Sequence, residues 1–242
     1  MRVKRVVVLL GLALSGHVAG IAGCAPAEPP EQFDSVSTPS VPAGREVVLP
    51  DPVTSGGRPL ADAISERRSV RSYEPGPVTL EQLSQLLWAA QGITDERRGF
   101  RTAPSAGATY PLETFVIAGE VEGLAPGVYR YVPRGHHLTS VLEGDVRAEI
   151  ARAAFGQGFV AEAPLTVLMA AVYERTERRY GQRAERYVHM EVGHAAQNLH
   201  LQAVASGLGS VPVGAFDDAK VAEIAGLADD EAPLYLIPVG RR

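Results

Sequence analysis

The chain has 242 residues, with 23 Lys and Arg against 28 Asp and Glu for a formal charge of −5, 45% hydrophobic residues, 25 glycines, 18 prolines and one cysteine. A single cysteine excludes an intramolecular disulfide, a cysteine-ligated iron–sulfur cluster and a cysteine-based structural zinc site. The acidic balance, with no basic tail or stripe, argues against a nucleic-acid binder, because duplex affinity depends on many Lys and Arg neutralising phosphates.

Residues 1–23 have the profile of an export signal: Arg2, Lys4 and Arg5 precede a run, Val6 to Ile21, that is apolar or small except for Ser15 and His17. The run ends in Ile21-Ala22-Gly23-Cys24, which resembles the lipobox of bacterial lipoproteins and makes Cys24 the candidate lipidation site and mature N-terminus. An ordinary cleaved signal and a transmembrane anchor are the competing readings, the latter disfavoured by a short, Gly-rich run. Loss of residues 1–23 removes three positive charges and no acid from a chain of charge −5, leaving −8. The predicted location is the cell envelope, with the chain anchored outside the cytoplasm. Residues 24–57 are rich in Pro, Ser and small residues and read as a tether. Residues 58–242 are then long enough for one substantial core.

Within that domain Leu60 to Glu66 reads as a short helix running into Arg67-Arg68-Ser69-Val70-Arg71. Thr79-Leu80-Glu81-Gln82 is a capping box, Leu83, Leu86, Leu87 and Ala90 form an apolar face, and Gly92 stops the helix. Thr114–Ala118, Gly127–Val132, Leu165–Ala171 and Ala232–Val239 are β-rich runs bounded by Gly or Pro. Val146–Phe155 and Asp217–Ala225 have helical spacing, and the longest helix is predicted from Ala184 to Ser206, stopping at Gly207. Strands and helices without regular βαβ alternation predict an α+β fold.

Several motifs can be set aside. Gly207-Leu208-Gly209-Ser210-Val211-Pro212 approaches a dinucleotide fingerprint, but Pro212 takes the last glycine position and a helix precedes it. No GxSxG, HExxH or GxxxxGK[ST] occurs. Glu191-x-x-His194 lacks the second such pair that a di-iron bundle needs, so no metal is predicted. Glu191, His194, Gln197 and Asn198 read instead as a polar ridge bonded within the fold.

Arg67, Arg68, Ser69 and Arg71 place three guanidinium groups and a hydroxyl within five residues, which suits a bidentate grip on phosphate. Three patterns follow: Ala103-Pro104-Ser105-Ala106-Gly107-Ala108-Thr109-Tyr110, then Gly193-His194-Ala195-Ala196-Gln197-Asn198-Leu199, then Gly207-Leu208-Gly209-Ser210-Val211-Pro212-Val213-Gly214-Ala215-Phe216. Taken together and in order, from about Leu60 to Arg242, they resemble the FMN-dependent nitroreductase family, and within it the SagB-type dehydrogenase branch.

The resemblance implies an α+β fold with a central mixed or antiparallel sheet flanked by helices, a homodimer with FMN at the subunit interface, and hydride chemistry at the flavin. Arg67, Arg68, Ser69 and Arg71 match the segment holding the FMN phosphate, ribityl chain and pyrimidine edge. Arg241 resembles a second phosphate contact. Pro104, Ser105 and Ala106 match the loop packed on the isoalloxazine from the partner subunit, and Pro212, Val213, Gly214 and Ala215 the turn whose N–H groups approach flavin N5. Two departures bear on substrate. Ala108 stands where many nitroreductases have Asn, and Arg179-Tyr180-Gly181 stands where azoline-oxidising members have Lys-Tyr before Gly. Arginine stays protonated and cannot act as a general base, which leaves Tyr180 as the candidate acid or base. The substrate implied is a small molecule or peptide. The rival readings are an NAD(P)H nitro- or quinone reductase and a non-catalytic binding subunit of an envelope complex.

Overall fold

Period-two alternation of β-branched and aromatic residues builds the centre of the molecule, in the computed structural model that describes residues 44–242. The export signal, Cys24 and residues 24–43 of the tether lie outside the described residues. In chain order the elements are β1 (Glu46–Val48), α1 (Leu60–Glu66), α2 (Leu80–Gln91), β2 (Ile93–Asp95), β3 (Phe100–Arg101), β4 (Leu112–Ala118), β5 (Gly127–Val132), β6 (His137–Glu143), α3 (Arg147–Ala153), α4 (Gly158–Glu162), β7 (Leu165–Ala171), α5 (Glu174–Tyr180), α6 (Ala184–Ala205), β8 (Leu208–Ser210), α7 (Asp218–Ala225) and β9 (Ala232–Arg241). Seven strands form one sheet in the order β1-β6-β5-β4-β7-β9-β8. Each of its strand pairings is antiparallel, which narrows the expected mixed or antiparallel sheet.

The sheet is buried on both faces, and alternate residues of its middle strands enter two separate cores. Leu112, Val116 and Ala118 of β4 join Leu165, Val167 and Met169 of β7 under α2 and α6. Phe115 and Ile117 point the other way and meet Leu168, Leu236 and the α3, α4 and α7 side. Helix α6 lies across the first face because Val188, Val192, Ala195, Ala196, Leu199 and Ala203 recur every three or four residues. This is the α+β architecture expected from the sequence.

Helix ends follow local chemistry. Thr79 Oγ1 accepts the Gln82 N–H and Gln82 Oε1 accepts the Thr79 N–H, completing the capping box. Gly92 ends α2 for a different reason than a left-handed cap: its φ is −61°, and a Cβ there would lie 2.2 Å from the Trp88 ring. Gly207 does take a left-handed φ of +74° after α6.

The segment 44–57, which composition assigned to the tether, contributes structure. Glu46, Val47 and Val48 pair with Thr139, Leu138 and His137 of β6, and Leu49 is buried. Pro50 accepts a hydrogen bond from Ser84 Oγ, and Gln85 bonds both the N–H and the carbonyl of Val53. Strand β1 therefore lies before the predicted domain boundary at residue 58, because Val47 and Leu49 alternate inward within an otherwise Pro-rich stretch.

Candidate functional site

The chain leaves the helix at Arg67, whose ψ is 123°, and runs along the outer edge of the sheet. Val70 N–H donates to the Ser210 carbonyl at 3.0 Å, and Glu74 N–H donates to the Arg241 carbonyl at 3.0 Å. Ser69 forms a parallel bridge with Ser210. Two glycines permit this close approach, since a Cβ at Gly209 would lie 2.6 Å from Val70 and one at Gly240 2.7 Å from Tyr73.

Arg67, Arg68, Ser69 and Arg71 are thereby set against the strands that carry Ser210 and Arg241. None of Arg67, Arg68, Arg71 and Arg241 has a carboxylate partner among the described residues. The nearest acid in sequence, Glu66, is instead engaged by Arg58 and Arg242. Arg67 Nη1 meets His200 Nε2 at 3.0 Å, Arg68 Nη1 donates to the Ser65 and Arg67 carbonyls, and Arg71 lies 5.7 Å from the Phe159 ring centroid. Arg241 packs on Gly76, where a Cβ would lie 3.1 Å from its guanidinium.

The turn Pro212-Val213-Gly214-Ala215 opens at the same end. Val213 exchanges both backbone hydrogen bonds with Leu236, whereas the N–H groups of exposed Gly214 and Ala215 make no hydrogen bond within the described residues. Gln157 Nε2 donates to the Ala215 carbonyl at 2.9 Å. Gln157 and Phe159 flank the start of α4, so this one segment touches both the turn and Arg71. The helix stops at Gly207 as predicted, and Leu208–Ser210 after it form β8 by pairing with β9.

A second cluster forms around the loop Pro104-Ser105-Ala106. Ser105 Oγ accepts the Tyr110 N–H at 2.9 Å, and Ser105 and the Ala106 backbone both favour the ionised form of Glu191. Arg179 Nη1 donates to the Gly107 carbonyl at 3.0 Å. Tyr180 lies against the same residue, its ring edge-on to Tyr187 at 5.0 Å. Ala108 and Tyr110 both hold positive φ, 53° and 45°. That conformation suits Asn or Gly better than Ala.

Glu191 and His200 mark the two clusters on α6. They are nine residues apart, a rise of about 13 Å. The predicted polar ridge divides: Glu191 is buried and Asn198 donates to the Thr102 carbonyl, whereas His194 and Gln197 are exposed. Glu191 is 3% exposed and its Oε1 has no partner within the described residues. Burial pushes its pKa up to about 7, against the pull of Ser105, Arg101 and the Ala106 N–H.

The folded state therefore binds this proton more tightly than the unfolded chain, where the group titrates near 4.5. The penalty on its ionised form is absent below that pH, and stability is lost as pH rises from about 4.5 through about 7. Glu191→Gln removes the titration. It is expected to match the wild-type melting temperature at pH 4.5 and to exceed it at pH 8 by about 4–8 °C, for a gain of order 2 kcal/mol. An equal difference at both pH values would contradict this assignment.

His200 lies outside the sequence patterns, and Ser210, though inside the Gly207–Phe216 pattern, was assigned no role there. His200 is 3% exposed, and its Nδ1 lies 2.6 Å from Ser210 Oγ. Burial and the Arg67 guanidinium push its pKa down to about 4. The available signal was its place on the buried face of α6, one residue after Leu199.

Known proteins share this chain's sequence family and fold. The nitroreductase family profile matches residues 64–241. A protein of Methanocaldococcus jannaschii that carries the name nitroreductase is 54% identical over 183 residues, covering 76% of this chain and 91% of that protein. The crystal structure of a Ralstonia eutropha protein, also named a nitroreductase, superposes with a TM-score of 0.72 at 33% identity, over 81% of this chain and 89% of that one. The NADPH:FMN oxidoreductase of Vibrio harveyi, solved with NAD+, shares the fold at a TM-score of 0.55 and 21% identity, over 75% of this chain and 68% of that one.

Proposed function

The chain belongs to the nitroreductase family, and from that premise we propose that it is an FMN-dependent oxidoreductase of the SagB-type branch, exported and lipid-anchored through Cys24. The observation that carries the cofactor reading is the group of four guanidiniums, Arg67, Arg68, Arg71 and Arg241, held along one sheet edge without a carboxylate partner among the described residues. Uncompensated arginines in register with an exposed turn suit a bidentate grip on a dianion. The unbonded N–H groups of Gly214 and Ala215 suit the acceptor edge of an isoalloxazine. The residues present thus fit FMN: Arg67, Arg68, Ser69, Arg71 and Arg241 for the phosphate, ribityl chain and pyrimidine edge, and Pro212, Val213, Gly214 and Ala215 for the N5 side.

When bound, FMN supplies two-electron hydride chemistry at N5, so the protein needs no nucleophile of its own. This chain binds and orients. Arg179 remains a cation that fixes the Gly107 carbonyl, and the Tyr180 hydroxyl beside it is the group able to hold or move a proton at the substrate. Pro104, Ser105 and Ala106 stand with Tyr180 rather than with the arginine grip of the same chain, which supports a homodimer in which each copy completes the other's site. A cleft of about 260 Å³ between α1, α2 and α6, bordered by Leu60, Trp88 and Leu201, offers an apolar surface for that contact. The Vibrio harveyi enzyme's name supports FMN here, and its NAD+ complex supports a nicotinamide donor as one candidate.

The test is anaerobic spectroscopy of the full-length protein loaded with FMN. NADPH or a reduced quinone is expected to bleach the flavin band near about 450 nm, and a quinone or nitroaromatic to restore it. A flavin-loaded protein that no two-electron donor reduces would leave a binding subunit as the better reading. Cys24→Ser is expected to abolish labelling by a radioactive fatty acid and release the protein from membranes. Unchanged labelling would contradict the anchor.

A further inference from the structure

The single side-chain hydrogen bond of Arg67 within the described residues goes to a buried imidazole, and chemistry fixes its sense. A guanidinium can only donate, so His200 Nε2, 3.0 Å from Arg67 Nη1, is the bare acceptor nitrogen. Nδ1 then carries the ring proton and donates to Ser210 Oγ at 2.6 Å. Ser210 accepts the Val70 N–H through its carbonyl and lies two residues ahead of Pro212. One ring thus joins α6, the arginine segment and the strand that leads into the 212–215 turn.

We propose that His200 is the positioning residue of the anion site, a neutral imidazole that aims Arg67 at the phosphate and, through Ser210, holds the 212–215 turn in register with it. The proposal rests on the flavin reading above. Its geometry requires one tautomer, since a proton on Nε2 would face a donor and turn Arg67 away. Burial and Arg67 both disfavour the imidazolium, and Arg67 is the charged group acting on the ring. Histidine serves here because it is rigid and offers one acceptor and one donor on opposite sides. A glutamine amide offers the same pair on a longer stem, and alanine offers neither.

The experiment uses the full-length protein stripped of flavin and titrated with FMN, following quenching of flavin fluorescence. His200→Ala is expected to weaken binding by about 10- to 100-fold, the effect of losing a hydrogen bond to a charged group, and His200→Gln to recover most of it. Arg67→Ala combined with His200→Ala should lose less than the sum of the two single losses, because His200 acts in part through Arg67. Binding by His200→Ala within twofold of wild type, failure of His200→Gln to recover, or additive losses in the double variant would each overturn the proposal.

A purely structural histidine would lower the apoprotein's melting temperature without this coupling. If His200→Ala does not fold, the wild-type imidazole 15N shifts at pH 7 decide: a protonated Nδ1 and bare Nε2 are required, and the reverse tautomer or an imidazolium contradicts the relay. A wild-type protein that takes up no FMN would refute the flavin reading itself, whereas normal uptake by wild type and His200→Ala alike would refute only the role of His200.

Discussion

Alanine at both Arg67 and Arg68 is expected to weaken FMN binding by roughly three orders of magnitude, from the loss of two charge-assisted contacts worth about 2 kcal/mol each. Folding should survive. Arg68 is exposed and bonds carbonyls of its own turn, and Arg67 is half-buried with no ion pair to break. The double variant should therefore melt within a few degrees of wild type while remaining colourless. Size-exclusion chromatography beside the fluorescence titration separates the two effects. Retained FMN at wild-type affinity would remove the arginine segment from the site, and loss of assembly together with FMN would assign it a scaffold role.

The second large effect comes from adding one carbon. Gly209 is buried in β8, and an alanine Cβ there would lie 2.6, 2.7 and 2.9 Å from Cγ1, Cβ and Cγ2 of Val70. A rotamer change does not relieve this, because the Val70 Cβ belongs to a fixed point of the backbone. The arginine segment must move off the sheet edge, straining the Val70–Ser210 hydrogen bond and the bridge at Ser69. Overpacking of this kind costs about 1–3 kcal/mol, a fall of about 3–10 °C in melting temperature at this size. FMN affinity should drop with it, since the grip and the turn lose their common register. Val70→Ala added to Gly209→Ala removes two of the three colliding atoms and should restore part of both. A Gly209→Ala protein with wild-type stability and affinity would contradict the edge packing.

Much of the frame was legible because its elements obey short-range rules. Helix α1 has the predicted bounds Leu60–Glu66, strands β5 and β7 match Gly127–Val132 and Leu165–Ala171, and the Thr79 box caps α2 as predicted. Elements without their own signal escaped. In α5 Thr176 is the buried residue, so Glu174–Tyr180 shows no apolar period. Strand β8 is three residues long and exists through its pairing with β9, 31 residues away at Gly209 and Gly240. Strand β1 hides in a Pro-rich stretch because one edge strand needs few inward residues.

The site divides along the same line. Its arginines and turns were visible as local clusters of unusual residues, and the structure brings Arg67, Ser69, Ser210 and Arg241 to one edge. It also brings Arg179 and Tyr180 to the Pro104–Ala106 loop, 72 residues from Arg179 to Gly107. His200 was not visible, because its role depends on Arg67, 133 residues distant in sequence. Contacts of that range are products of the packed sheet and leave no pattern in a single chain's residue order.

The most direct measurement is the chromophore released from purified full-length protein by denaturation, identified by mass and quantified against protein. About one FMN per chain, with flavin absorption near about 370 and 450 nm before denaturation, is the predicted result. A colourless protein that fails to take up added FMN would contradict the oxidoreductase reading.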